Sequence, residues 1–124
     1  MGIVSPNLLQ MNLINISIGV FALSAVLGLS ILIKWLSKKD VSKGVIYAHG
    51  IFAALGLVLL VIFALENRDN APDIALILFV IAALGGFYMF FRELRNKMSP
   101  YSIAFAHALL AVAGFVSLLF FAFL

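Results

Sequence analysis

The sequence predicts an all-α protein: a transmembrane four-helix bundle of up-down-up-down topology, built as a tandem duplication of a two-helix hairpin. Three observations predict it. Of the 124 residues, 65% are hydrophobic and 10% charged, whereas soluble domains run near about half apolar and a quarter charged. The apolar residues gather into four runs of membrane-crossing length, with little chain between them. The second pair of runs then repeats the first. A water-soluble fold is excluded, and the chain reads as a single transmembrane domain with repeats at about 13–65 and 74–124.

The first run, residues 13–33, ends at Lys34. The second, 45–65, is bounded by Lys43 and Glu66, and the third, 74–91, by Asp73 and Arg92. The fourth, 103–124, follows Pro100, whose fixed φ and missing N–H suit the first turn of a helix. A hydrocarbon core of about 30 Å takes roughly 20 helical residues, so each run crosses once. The runs lack the alternation of barrel strands and are too few and too long for a barrel. With no extramembrane domain expected, any function has to come from groups within the helices or on short loops.

The net charge of +3 is explained by position. Seven of the eight basic residues fall in two loops: Lys34, Lys38, Lys39 and Lys43, then Arg92, Arg95 and Lys97. The loop between the halves holds Glu66, Asp69 and Asp73 with only Arg68. The positive-inside rule places the basic loops in the cytoplasm and both termini outside, as in a multi-pass membrane protein. Nucleic-acid binding is the wrong reading of this charge. Cysteine is absent, which excludes a disulfide framework, a thiolate metal site and a c-type haem attachment.

Laying the chain on itself with a shift of 58 residues, the distance from His49 to His107, matches Phe21 with Phe79, Gly28 with Gly86 and Lys39 with Lys97. In the second helices Ala48, His49, Ala53, Gly56, Leu60 and Phe63 fall on Ala106, His107, Ala111, Gly114, Leu118 and Phe121. Both halves run out-to-in and then in-to-out, so this is a parallel repeat, unlike the inverted repeats of many transporters. Short loops make successive helices antiparallel neighbours. In a simple bundle the two histidine helices are then expected diagonally across the centre.

His49 and His107 are the only histidines, each well inside an apolar helix, where an ionisable residue is expensive and is by default a functional candidate. His49 follows Lys43 by six positions and His107 follows Pro100 by seven, which puts both about 9 to 10 Å along their helices. Each begins the pattern His-x-x-x-Ala-x-x-Gly, with Ala53 and Gly56 in one half and Ala111 and Gly114 in the other. Gly28 and Gly86 precede Lys34 and Arg92 by six residues, level with the histidines. The plain alternatives are a hydrogen bond from each imidazole to a neighbouring helix and ordinary close packing at Ser24–Gly28 and Ala82–Gly86.

A flat slot between two imidazoles, lined by small residues, is what a six-coordinate haem requires. A bare zinc or copper ion wants a third or fourth protein ligand, and the sequence puts no Asp, Glu or Cys at that depth. His49 and His107 are therefore the candidate metal ligands. Gly28, Gly86, Ala53, Ala111, Gly56 and Gly114 are the candidate lining. Lys34 and Arg92, about one and a half turns further on, are placed to meet propionates, or else serve only as interfacial anchors.

On these residues the chain resembles the small bacterial haem b membrane proteins, in which paired helix-borne histidines hold a non-covalent haem within a helical bundle. The resemblance rests on the hairpin plan and the His49 and His107 constellation. It implies haem b as cofactor with bis-histidine ligation, and partners comprising the lipid bilayer, a redox protein and, where haem is shared between chains, a second copy of the chain. Filling both axial positions favours electron transfer or haem handling over catalysis. Two alternatives stand beside it. One is a small transporter or proton-conducting protein using imidazole titration, which the lack of an intramembrane carboxylate counts against. The other is a non-catalytic assembly subunit packing through its small-residue faces.

Overall fold

A computed structural model describes residues 7–124 as four long α-helices, α1 (Leu8–Leu36), α2 (Lys43–Glu66), α3 (Asp73–Leu94) and α4 (Tyr101–Phe123), with one 3-10 turn at Arg68–Asn70. No strand occurs among the described residues. All four helices are long and apolar enough to cross a bilayer. Their outer faces carry Leu29, Ile51, Leu84 and Leu109, each more than half exposed. In water such faces would be untenable, whereas in lipid they are the solvated surface, and the helical backbone satisfies its own polar groups. The protein is an all-α, multi-pass membrane protein.

Seven of the eight helix ends lie beyond the apolar runs, and α4 stops at Phe123, one residue inside its run. Upstream of residue 13, α1 begins at Leu8 because Asn7 and Gln10 form a capping box: Asn7 Oδ1 accepts from the Gln10 N–H at 2.9 Å, and Gln10 Oε1 accepts from the Asn7 N–H at 3.2 Å. At the other end α1 continues through Lys34 to Leu36. Its 29 residues make it about 43 Å long at about 1.5 Å per residue. That exceeds a hydrocarbon thickness of about 30 Å.

The chain divides into two compact units, one ending at Asp73 and the other spanning Ile74–Leu124. Each is an antiparallel helical hairpin, and the 58-residue offset of the sequence recurs in their local geometry. α1 closes with Lys38 at φ 56°, the Lys39 N–H donating to the Lys34 carbonyl and the Lys38 N–H to that of Trp35. α3 closes with Asn96 at φ 55°, the Lys97 N–H donating to Arg92 and the Asn96 N–H to Glu93. Both are Schellman turns, in which one left-handed residue lets two N–H groups satisfy carbonyls left over at a helix end. The following helices start alike, from extended Ser42 (φ −60°, ψ 132°) and Pro100 (φ −61°, ψ 140°).

Inside the first hairpin, Ser17, Phe21, Ser24 and Gly28 recur at alternating spacings of four and three, which keeps one narrow stripe of α1 turned toward α2. The second hairpin uses Ala75, Phe79, Ala82 and Gly86 of α3 in the same way. The Phe21 ring packs where a Cβ on Gly56 would stand, 3.0 Å from its Cδ1, and the Phe79 ring does the same at Gly114, at 3.1 Å. Leu60 and Leu118, which also correspond, are both fully buried. The halves differ in the polarity of this stripe. Ser17 and Ser24 are buried hydroxyls where the second half has Ala75 and Ala82, and Ser17 Oγ donates to the Gly56 carbonyl at 2.9 Å.

Candidate functional site

One level nearer the basic loop than the phenylalanine–glycine contacts, each imidazole crosses to the first helix of its own hairpin. His49 Nδ1 lies 2.8 Å from the Ser24 carbonyl oxygen, and His107 Nδ1 lies 2.7 Å from that of Ala82. A carbonyl can only accept, so in both rings Nδ1 is the protonated nitrogen. In the neutral imidazole the lone pair then resides on Nε2. The same protons can be followed at Ser24. Its hydroxyl has one hydrogen, which goes to the His49 carbonyl at 3.0 Å. Oγ therefore meets Nδ1, at 3.1 Å, as a second acceptor.

The glycines let the rings come this close. A Cβ on Gly28 would stand 2.8 Å from His49 Cε1, and one on Gly86 would stand 3.1 Å from His107 Cε1. Gly28 and Gly86 thus open space that each hairpin fills with its own imidazole edge. Gly85 is looser, with its nearest contact an ordinary 3.7 Å to His107 Cβ. Ala53 and Ala111 are half-buried about one turn along from the histidines, and the buried Gly56 and Gly114 lie about two turns along, against the phenylalanines.

The basic residues are distributed unequally. Arg92 turns into its own loop, its Nε and Nη2 donating to the Met98 carbonyl at 3.2 and 2.6 Å, and its guanidinium carbon stands 5.8 Å from the centre of the Tyr88 ring. Lys34, at the corresponding place, occupies the last turn of α1, where a cation also complements the helix dipole. Among the described residues no three His, Cys, Asp or Glu side chains gather to hold a bare metal ion. The donor set is one imidazole per hairpin.

Sequence reasoning located the histidines and the glycines beside them. It missed Ser24 as a partner of His49, treating it as half of a packing motif with Gly28. The available signal was its position one turn before Gly28, on the face that carries the glycine. No family model matches the chain, and no curated protein and no solved structure matches it.

Proposed function

We propose that the protein is an integral membrane b-type haem protein, that His49 and His107 would hold the haem iron through Nε2, and that it would serve electron transfer or haem handling. The observation that carries this reading is the pair of Nδ1–H···O=C bonds at 2.8 and 2.7 Å. A metal-ligating histidine almost always donates its other ring N–H to a carbonyl or carboxylate, which fixes the tautomer and raises the basicity of the ligating nitrogen. An interhelical hydrogen bond and ligation therefore use different nitrogens of one ring and are compatible.

The donor set fits the group. A haem brings four equatorial nitrogens of its own and needs one or two axial ligands, whereas a bare zinc ion would need three or four from the protein. When bound, haem supplies a one-electron iron couple. The chain's own part is to orient: Gly28 and Gly86 admit the rings to the helix surface and Gly56 and Gly114 seat Phe21 and Phe79, while Ala53 and Ala111 keep the histidine face low. Lys34 is the better placed of the two matched cations to meet a propionate, because Arg92 already serves the Met98 carbonyl. The basic loops face the cytoplasm of a bacterial inner membrane, both termini face outward, and a redox partner docks on the loop side. A second copy of the chain completes the ligation where haem is shared.

The test is the absorption spectrum of detergent-purified protein, oxidised and then reduced, with haem counted per chain. A low-spin bis-imidazole spectrum is expected. His49→Ala and His107→Ala should each turn it high-spin or abolish binding, and an unchanged spectrum in either variant eliminates that histidine. Protein that stays colourless after haem is supplied would reduce both imidazoles to fasteners between helices.

A further inference from the structure

Where α1 begins and α2 ends, the first hairpin holds a groove of 260 Å³ whose lining changes along its length. Leu13, Ile16 and Ile62 line it within the apolar runs, and Gln10, Asn12 and Glu66 line it just beyond them. The groove therefore straddles the level where hydrocarbon gives way to headgroups. Its polar end is also divided by charge. Glu66 closes α2, whose last turn carries no basic residue, so a carboxylate is added to the negative end of a helix dipole. It forms no ion pair among the described residues. Across the groove α1 begins with the positive end of its own dipole. Gln10 is held there by the Asn7 N–H, which donates to Oε1 at 3.2 Å and leaves the Nε2 hydrogens as donors.

We infer that the groove binds an amine-headed phospholipid, phosphatidylethanolamine. Its ammonium meets Glu66, its phosphate meets the carboxamides of Gln10 and Asn12 at the start of α1, and an acyl chain follows Leu13, Ile16 and Ile62. A primary ammonium brings three N–H donors to one carboxylate, and such charge-assisted bonds outweigh neutral ones. A purely anionic lipid would bring a phosphate to this end with no cation for Glu66. The second hairpin has Leu124 and Phe120 where the first has Glu66 and Ile62, so the carboxylate is not duplicated and one such lipid per chain is expected. The site lies at the other end of α2 from His49 and owes nothing to the haem reading.

Native mass spectrometry of the delipidated full chain tests this, with titration in detergent by phosphatidylethanolamine, phosphatidylcholine and phosphatidylglycerol of matched acyl chains. One phosphatidylethanolamine should bind more tightly than either of the others. Glu66→Gln should weaken that binding about fivefold, the upper end for an exposed ion pair. Asp69→Asn, which removes the same charge three residues on and outside the groove, should leave it unchanged. Ile62→Trp should weaken all three lipids by filling the apolar stretch. Glu66→Gln, an exposed and isosteric change, keeps the test decisive should Ile62→Trp disturb the helices. Phosphoethanolamine, the headgroup without its chains, should not compete. Equal affinity for the three lipids, or equal losses in Asp69→Asn and Glu66→Gln, would overturn the proposal. Displacement by phosphoethanolamine as effective as by lipid would overturn it by assigning the groove to a soluble amine, and binding of no lipid would leave the groove to a segment of protein.

Discussion

A methyl group at Gly28 would stand 2.8 Å from His49 Cε1, closer than Cβ atoms approach, so the imidazole must leave the Ser24 carbonyl or the helices must part. At Gly86 the corresponding 3.1 Å can be relieved by a few tenths of an ångström. Two equivalent glycines are therefore unequal in tolerance. Gly28→Ala should cost about 1 to 3 kcal/mol, as overpacking does. Gly86→Ala should cost less, because the His107 ring has less far to move from the Ala82 carbonyl while both substitutions share a helix-propensity gain of up to about 1 kcal/mol. Unfolding titrations in mixed micelles check this, and equal losses would contradict it. At this scale the histidines and glycines were legible because the repeat marks them twice. Ser24 was not, because a repeat hides what its halves do not share and a backbone carbonyl as acceptor leaves no trace in composition.

The helices as elements show a different limit. Counting apolar residues located all four but placed every end except the last one short, since a helix persists wherever its hydrogen bonds and caps allow and does not stop where lipid stops. The capping box at Asn7 and Gln10 and the passage of α3 through Arg92 to Leu94 are both of this kind. The turns that end α1 and α3 put a lysine and an asparagine in the left-handed region, which costs most L-residues about 1 to 2 kcal/mol and asparagine less. Lys38→Gly should accordingly stabilise the first hairpin by about 1 kcal/mol. Asn96→Val should destabilise the second by more, a β-branched residue being poorly suited there. Thermal unfolding in detergent reads both, and a stabilising Asn96→Val would refute the account of the turn.

For the whole molecule, the four-helix membrane architecture was legible because hydropathy over about 20 residues is a strong and additive signal. Sidedness rests on the charges: seven basic residues in the two Schellman-turn loops against Arg68 in the loop between the halves. A periplasmic reporter fused after Leu124 should be active and a cytoplasmic one silent; the opposite pattern would invert the orientation.

The short range of each histidine contact has a consequence for how the chain is made. Ser24 and His49 are 25 residues apart, as are Ala82 and His107, so each imidazole docks on a helix synthesised just before its own. The first fastening can close while α3 and α4 are still unmade, which protease protection of ribosome-arrested chains would register and Ser24→Ala should weaken. Contacts of such short separation form early and at low entropic cost. Each histidine can then reach its fixed tautomer within its own hairpin before any partner or cofactor is present to select it.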